Sequence, residues 1–418
     1  MAGNWSRRGF VGTLITGAAS LLNSSRLFGA GVSNTSAAAT VTGFGQSGNP
    51  YQELGIPTVI NAMGTMTMLG GSLIRPEVEL VMTQAAKHFV GIPALEVAAG
   101  KRLAEMLKLP QGYSVLVTSG AAAAIQSGLA GILTGDNESL INQLPDLTGM
   151  KSEVIIQKSH RNPFDHQLRA TGVKLVEVET RDQLRRAVNE RTAMMHFTNF
   201  ANAAGQIKVD EWVKLGKELK VPCMNDAAAD TPPVSHLWDY TNLGYDLVTF
   251  SGGKAMRGPQ CAGMLIGRED LVRYALLNNS PHEDTLGRSS KVGKEEIIGM
   301  VKALELYLAE DHDALAKEWQ ERLESISRQI TRVPGVSTSY FVPEIANHVP
   351  HMQISWDEAK ISLTPKQVSQ MLKESKPSII MAAGEEKPGL SMNSFMLQAG
   401  EDKVVAEQLA RILREHTA

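Results

Sequence analysis

Lys254 lies in the run Thr249-Phe250-Ser251-Gly252-Gly253-Lys254-Ala255-Met256-Arg257-Gly258-Pro259-Gln260, a glycine-rich turn after an apolar stretch. Partial burial lowers the pKa of such a lysine and leaves an amine free to form a Schiff base. Ser251, three residues earlier, brings a hydroxyl within reach of a phosphate. A lysine in a solvated turn is the ordinary alternative, and this run alone does not separate the two. Asp226, in Asn225-Asp226-Ala227-Ala228-Ala229, ends a second apolar run. Open α/β sheets bind ligands at the carboxyl ends of their strands, so Asp226 and Lys254 are expected to face one crevice. A carboxylate there keeps a pyridine nitrogen protonated and makes the ring an electron sink, and the small Ala228 leaves room for a flat ring. The third element is Thr118-Ser119-Gly120-Ala121-Ala122-Ala123-Ala124. Ser119 supplies a hydroxyl, Gly120 allows close backbone approach, and a helix opening at Ala121 favours a phosphate. An aspartate also caps strands, and Ser-Gly is frequent in strand-to-helix turns. In this order, however, the three supply the amine, carboxylate and phosphate cradle that pyridoxal 5'-phosphate (PLP) requires.

Short apolar runs alternate with helical patterns from Tyr113 onward. Strands are expected at Ser114–Val117, Val154–Gln157, Lys174–Val178, Ala193–Phe197, Pro222–Asn225, Asp246–Phe250 and Cys261–Ile266, with helices such as Ala121–Leu133, Asp182–Val188 and Asp210–Leu219 between them. Such alternation predicts a parallel sheet covered by helices. The gap from Ser251 to Gln260 is too short for a parallel crossover, so the last strand should run antiparallel in a mixed seven-stranded sheet. After Gly293 come a long helical region broken near Asp311-His312-Asp313, short strands at Ser337–Val342, Met352–Ser355 and Ser378–Met381, and helices at Pro365–Glu374 and Glu401–His416. The expected fold is α/β. Residues 1–39 form a leader and linker, 40–110 an arm with one helical stretch near Glu77–Phe89, 111–290 the large domain and 291–418 a smaller α+β C-terminal domain.

This order resembles the aspartate-aminotransferase superfamily, the fold-type I PLP enzymes, and within it the branch of bacterial selenocysteine synthase and D-glucosaminate-6-phosphate ammonia-lyase. The carrying stretches are Val59-Ile60-Asn61-Ala62-Met63-Gly64-Thr65, Ser159-His160-Arg161-Asn162-Pro163-Phe164-Asp165-His166, Ser251-Gly252-Gly253-Lys254 with Gly258-Pro259-Gln260, and Gly287-Arg288-Ser289-Ser290-Lys291-Val292-Gly293-Lys294-Glu295-Glu296. The resemblance implies that Lys254 carries the cofactor and that Asp226 pairs with its pyridine nitrogen, these two being the catalytic residues. Ser119, Gly120 and Ala121, helped by Ser251, would cradle the phosphate. His160 would stack on the ring, a histidine satisfied in a strand-end loop being the alternative, and Asn199 or, equally, Asn202 would approach the phenolic oxygen. A homodimer or higher oligomer is also implied, with Arg288 reaching a neighbour's cofactor phosphate.

One feature departs from that pattern. After position 332 the only arginines are Arg411 and Arg414, in a terminal helix, so a small-domain arginine for a substrate carboxylate is missing. Arg161, Arg257 and Arg288 are the candidates for an anionic substrate group, because arginine suits bidentate carboxylate binding. No phosphate-binding G-x-x-x-x-G-K-[ST] or zinc-binding H-E-x-x-H motif occurs. His348 and His351 lack an acidic or cysteine partner, so no metal is expected. The formal net charge of -3 gives no footprint for nucleic acid. Cys223 and Cys261 sit in apolar runs and are expected as two buried thiols.

The first residues read as an export signal. Arg7 and Arg8 in Ser6-Arg7-Arg8-Gly9-Phe10-Val11 precede a mild apolar run, Gly12 to Leu22, and then small residues including Ala37-Ala38-Ala39. This is the shape of a twin-arginine signal, too short and polar for a membrane span. It makes the twin-arginine translocase a partner and the periplasm the destination. The expected activity is therefore a PLP-dependent lyase that eliminates water and ammonia from a hydroxylated amino acid or amino-sugar acid, giving a 2-keto acid. Selenium transfer to seryl-tRNA, aminotransferase or racemase chemistry, and a non-catalytic exported binding protein are the alternatives.

Overall fold

Alternating residues of the buried strands go to opposite faces of a sheet, and both faces here are covered. Val115, Val117, Ile155, Met195, Phe197, Val248, Phe250, Met264 and Ile266 pack into one core cluster. Their neighbours Leu116, Val154, Met194, Met224, Leu247 and Leu265 pack into a second, against Ala124, Ile125 and Leu129 of the helix Ala121–Thr134. This two-residue period with helices on both sides is what makes the inner strands read as nearly continuous apolar runs.

The computed structural model describes residues 48–383 and 389–417. Residues 48–57 belong to a separate unit ending at Pro57, in which a short helix, Pro50–Glu53, is capped by Asn49. The leader, with Arg7 and Arg8, lies outside the described residues. From Thr58 onward the strands are, in chain order, β1 (Val59–Asn61), β2 (Tyr113–Thr118), β3 (Glu153–Gln157), β4 (Lys174–Val178), β5 (Thr192–Thr198), β6 (Cys223–Asp226), β7 (Leu247–Ser251), β8 (Gly263–Arg268), β9 (Val336–Phe341), β10 (His351–Trp356), β11 (Ser378–Ile380), β12 (Ala382–Ala383) and β13 (Leu390–Asn393).

The large sheet has seven strands in the order β2-β8-β7-β6-β5-β3-β4. As expected from the short gap before it, β8 runs antiparallel to both β2 and β7, and the remaining pairs are parallel. Register brings the site to one edge. Thr198 pairs with Asp226, Asp226 with Thr249, and Gly263 with both Ser251 and Thr118. The smaller domain is an antiparallel sheet, β12-β13-β10-β9, packed with the helices His312–Ile330 and Glu401–Glu415 around its own apolar cluster. Among the described residues no helix is long and apolar enough to cross a membrane.

The arm departs from the expectation. Beyond the stretch expected near Glu77–Phe89, which is the helix Pro76–Ala85, it holds a further long helix, Ile92–Met106, besides the short Pro50–Glu53. The long helix contains Gly100 in mid-helix, where a Cβ would stand 2.2 Å from the Val115 carbonyl oxygen. Close packing on β2, which no helical periodicity signals, selects a poor helix former there. The arm also adds β1, which pairs in parallel with β11. Cys223 is buried, but Cys261 is exposed, because β8 begins two residues after it and leaves it in the turn.

Candidate active site

The carboxyl ends of β2, β5, β6 and β7 border a cavity of about 230 Å³ whose lining includes Ser119, Gly120, Ala121, Asn199, Asp226, Ser251 and Lys254. Asp226, the last residue of β6, is buried. Its Oδ1 accepts the Ala228 N–H at 3.2 Å and the Thr249 hydroxyl at 3.4 Å. Burial pushes this carboxyl above the ordinary range, and the Lys254 charge only partly offsets the effect. Lys254 shows the complementary response. Burial lowers its pKa, Asp226 pulling it back, and no hydrogen-bond partner of its ammonium occurs among the described residues. Low dielectric thus favours the neutral form at both ends of one cavity, which primes the lysine as a nucleophilic amine.

The turn between β2 and its helix is built for an anion. Gly120 adopts φ 101°, ψ 168°, and the helix Ala121–Thr134 has no side-chain cap, so its leading amides remain for a ligand. The Thr118 hydroxyl donates to the Gly120 carbonyl at 2.9 Å and pins the turn. Gly263 of β8 lies beneath it; a Cβ there would be 2.7 Å from the Gly120 carbonyl carbon. A positive-φ glycine, uncapped amides and the Ser119 and Ser251 hydroxyls fit a phosphate. With a lysine of lowered pKa and a buried carboxylate across the same space, the donor set fits PLP.

Asn199, rather than Asn202, reaches the cavity. Its Nδ2 donates to the Tyr240 hydroxyl at 2.7 Å and to the Asp230 carboxylate, while Asn202 accepts the Val209 N–H at 2.9 Å. His160 is not in the lining, and the stacking expected of it is corrected. The ring is fully buried, edge-on to Phe197 at 4.5 Å, with Nδ1 accepting the Thr198 N–H at 3.2 Å and Nε2 3.1 Å from Gln157 Nε2. Burial pushes its pKa down to about 4. The aromatic rings that do line the cavity are Phe164 and Phe200.

None of the three arginines considered for an anionic group lines it either. Arg161 is paired with Asp165 and Glu177. Arg257, at φ 53°, donates to the Leu73 carbonyl at 3.0 Å and borders a separate cleft. Arg288 is exposed. Sequence reasoning missed the arm residues Thr67 and Gly71, the small-domain Ala346, and Asp230. Asp230 is fully buried and holds Asn199, Tyr240 and, at 2.9 Å, the Ala346 N–H. Only Asp230, four residues after Asp226, carried a local signal.

Comparison with known proteins agrees with this geometry. The chain is 28% identical over 382 residues to a D-glucosaminate-6-phosphate ammonia lyase of Salmonella typhimurium, covering 88% of this chain and 99% of that protein. It is also 28% identical over 380 residues to a 5'-C-glycyluridine monooxygenase-decarboxylase of a Streptomyces species, covering 88% and 92% respectively. The solved structure of a D-glucosaminate-6-phosphate ammonia-lyase superposes with a TM-score of 0.76 at 26% identity, over 88% of this chain and 99% of that one. The family model described as SelA: L-seryl-tRNA selenium transferase matches residues 59–330, a span that contains every strand of the large sheet, and the chain belongs to that family.

Proposed function

We propose that this chain is a PLP-dependent lyase that removes ammonia, through loss of a β-hydroxyl as water, from a hydroxylated amino acid or amino-sugar acid to give a 2-keto acid. The observation that carries this reading is the placement of Lys254, Asp226 and the Ser119–Ala121 turn around one cavity. Lys254 would hold the cofactor, Asp226 its ring nitrogen, and Ser119, Gly120, Ala121 and Ser251 its phosphate. When bound, PLP withdraws electrons from the substrate Cα. Asp226 would support that withdrawal by pairing with the protonated ring nitrogen. Lys254, with its pKa lowered by burial, is suited to take the Cα proton, since a lower pKa leaves more of the amine unprotonated and free to act as a base. Burial of both groups excludes water from the protons that each would hold.

The SelA-type family match also favours a transferase reading. The net charge of -3 weighs against a tRNA substrate. A homodimer with Arg288 near the partner's phosphate cradle, and export through the twin-arginine route, complete the proposal. Incubating the purified, PLP-loaded protein with β-hydroxy amino acids and amino-sugar acids, and assaying ammonia with keto acid, tests it. Equimolar ammonia and keto acid are expected. Amino transfer to an added keto acid without free ammonia would refute the lyase reading.

A further inference from the structure

The cavity's outer lining narrows the substrate class, on the reading that the site holds PLP. Among the described residues, Lys254 is the only lining side chain with a cationic group. Two acidic side chains, Asp226 and Asp230, stand in the same lining. The uncapped helix start that would take a phosphate is one site, at Gly120, and the cofactor's own phosphate claims it. A second phosphate, on a substrate, finds no arginine fork among this chain's own described lining residues, whereas phosphate recognition relies on charge-assisted donors.

What the lining offers at its outer part is different. Phe164 and Phe200 line the cavity, each in a short 3-10 turn following a strand of the large sheet. They are 58% and 50% exposed, though both are large and apolar. Phe164 follows Asn162, whose Oδ1 accepts its N–H at 2.8 Å, and Phe200 follows Asn199, which is tied to Tyr240. Both rings are thus carried on anchored backbone. Thr65 and Thr67 of the arm bring hydroxyl groups to the same space. Phenyl faces pack against C–H surfaces, and hydroxyls satisfy hydroxyls.

We infer that the substrate's distal end is uncharged and polyhydroxylated, an amino-sugar acid without a phosphate, lying against Phe164 and Phe200. This separates the chain from the relative whose name specifies a 6-phosphate.

The test titrates PLP-loaded protein with D-glucosaminate, D-glucosaminate 6-phosphate and DL-serine, following the visible absorbance of the cofactor. D-glucosaminate is expected to half-saturate the change at a concentration at least about tenfold below its 6-phosphate. Phe164→Ala and Phe200→Ala should each weaken D-glucosaminate relative to DL-serine, which is too short to reach the rings, by about threefold to tenfold, the range of one aromatic contact. Because both rings are half exposed, these variants should fold; Phe164→Leu and Phe200→Leu, which retain apolar area, should recover part of the loss. Equal or tighter binding of the 6-phosphate overturns the inference while leaving the PLP reading intact. A response to DL-serine alone, or equal weakening of both ligands in the variants, does the same. Protein that takes up no PLP overturns the functional reading, and this inference with it.

Discussion

Replacing Asp226 with alanine should separate stability from activity. In the cofactor-free protein the buried carboxylate has no ionic partner in hydrogen-bond contact, only the Ala228 N–H at 3.2 Å and the Thr249 hydroxyl at 3.4 Å. Hydrogen bonds this long lie at the weak end, about 0.5 kcal/mol each, whereas leaving a buried charged group poorly satisfied costs about 1–3 kcal/mol. Truncation removes that cost but leaves the Ala228 amide unpaired, so the net change is small. The cofactor-free variant should be unchanged or up to about 1 kcal/mol more stable, roughly 1 °C in Tm for a chain of this length. The pH dependence has a definite sign. Burial raises this carboxyl's pKa, so its contribution to stability is fully present below its unfolded value, about 3.9, and is lost as pH rises through the higher folded value. The variant should lack that decline. Turnover behaves oppositely: loss of the charge facing the ring nitrogen should lower it by about 10²–10³-fold, equivalent to about 3–4 kcal/mol of barrier. Calorimetry of the cofactor-free protein and solvent-deuterium exchange at Cα of DL-serine measure the two. Activity within about threefold of wild type, or destabilisation beyond about 2 kcal/mol, would refute the reasoning.

Other outcomes follow from the same geometry. Borohydride reduction of PLP-loaded protein should attach the cofactor to the peptide containing Lys254, and Lys254→Ala should abolish the adduct; mapping it elsewhere would reject the assignment. His160 and His196 are held neutral by burial, with pKa values lowered to about 4 and about 3. Each therefore contributes stability above pH 6.5 that is lost as pH falls toward the folded value, roughly 3 kcal/mol for His160 and roughly 5 kcal/mol for His196 by that point. Acid titration of His196→Asn should show a shallower loss. Leu80, Phe89, Val90 and Val97 of the arm are exposed, Phe89 completely, and the proposed dimer would cover them; Phe89→Asp should shift sedimentation toward monomer, and a wild-type monomer with full activity would exclude that interface. Replacing Arg7 and Arg8 with lysines should reduce the periplasmic fraction on cell fractionation.

The inner strands of the large sheet were legible because they are buried on both faces and so form apolar runs, whereas the edge strand β4, Lys174–Val178, is partly exposed and mixes polar with apolar residues. The β8 direction followed from a loop too short to cross over. That Lys254, Asp226, Ser119–Ala121, Ser251 and Asn199 border one cavity was legible because strand ends converge on one side of the sheet. The strands β1, β12 and β13 span only three, two and four residues, too short for a period to register. Thr67, Gly71 and Ala346 join the cavity through contacts made far along the chain, Ala346 reaching Asp230 and Gly71 lying against Gly253 and Gln260, which no local pattern encodes. His160 carried the right residue type at the right strand end, yet its side chain turned inward to Phe197 and Gln157, a choice made by packing.

The pairing of β1 with β11 sets an order of events during synthesis. Val59, Ile60 and Asn61 lie opposite Ser378, Ile379 and Ile380, so a strand made early in translation waits for a partner made near its end. The large domain can collapse while the chain is still on the ribosome, since its sheet closes at Arg268. The arm that brings Thr65, Thr67 and Gly71 to the cavity acquires its docking strand only when residue 380 has emerged. A nascent chain stalled between these points carries a formed sheet and an undocked arm, and the cavity acquires its full wall only when translation is nearly complete.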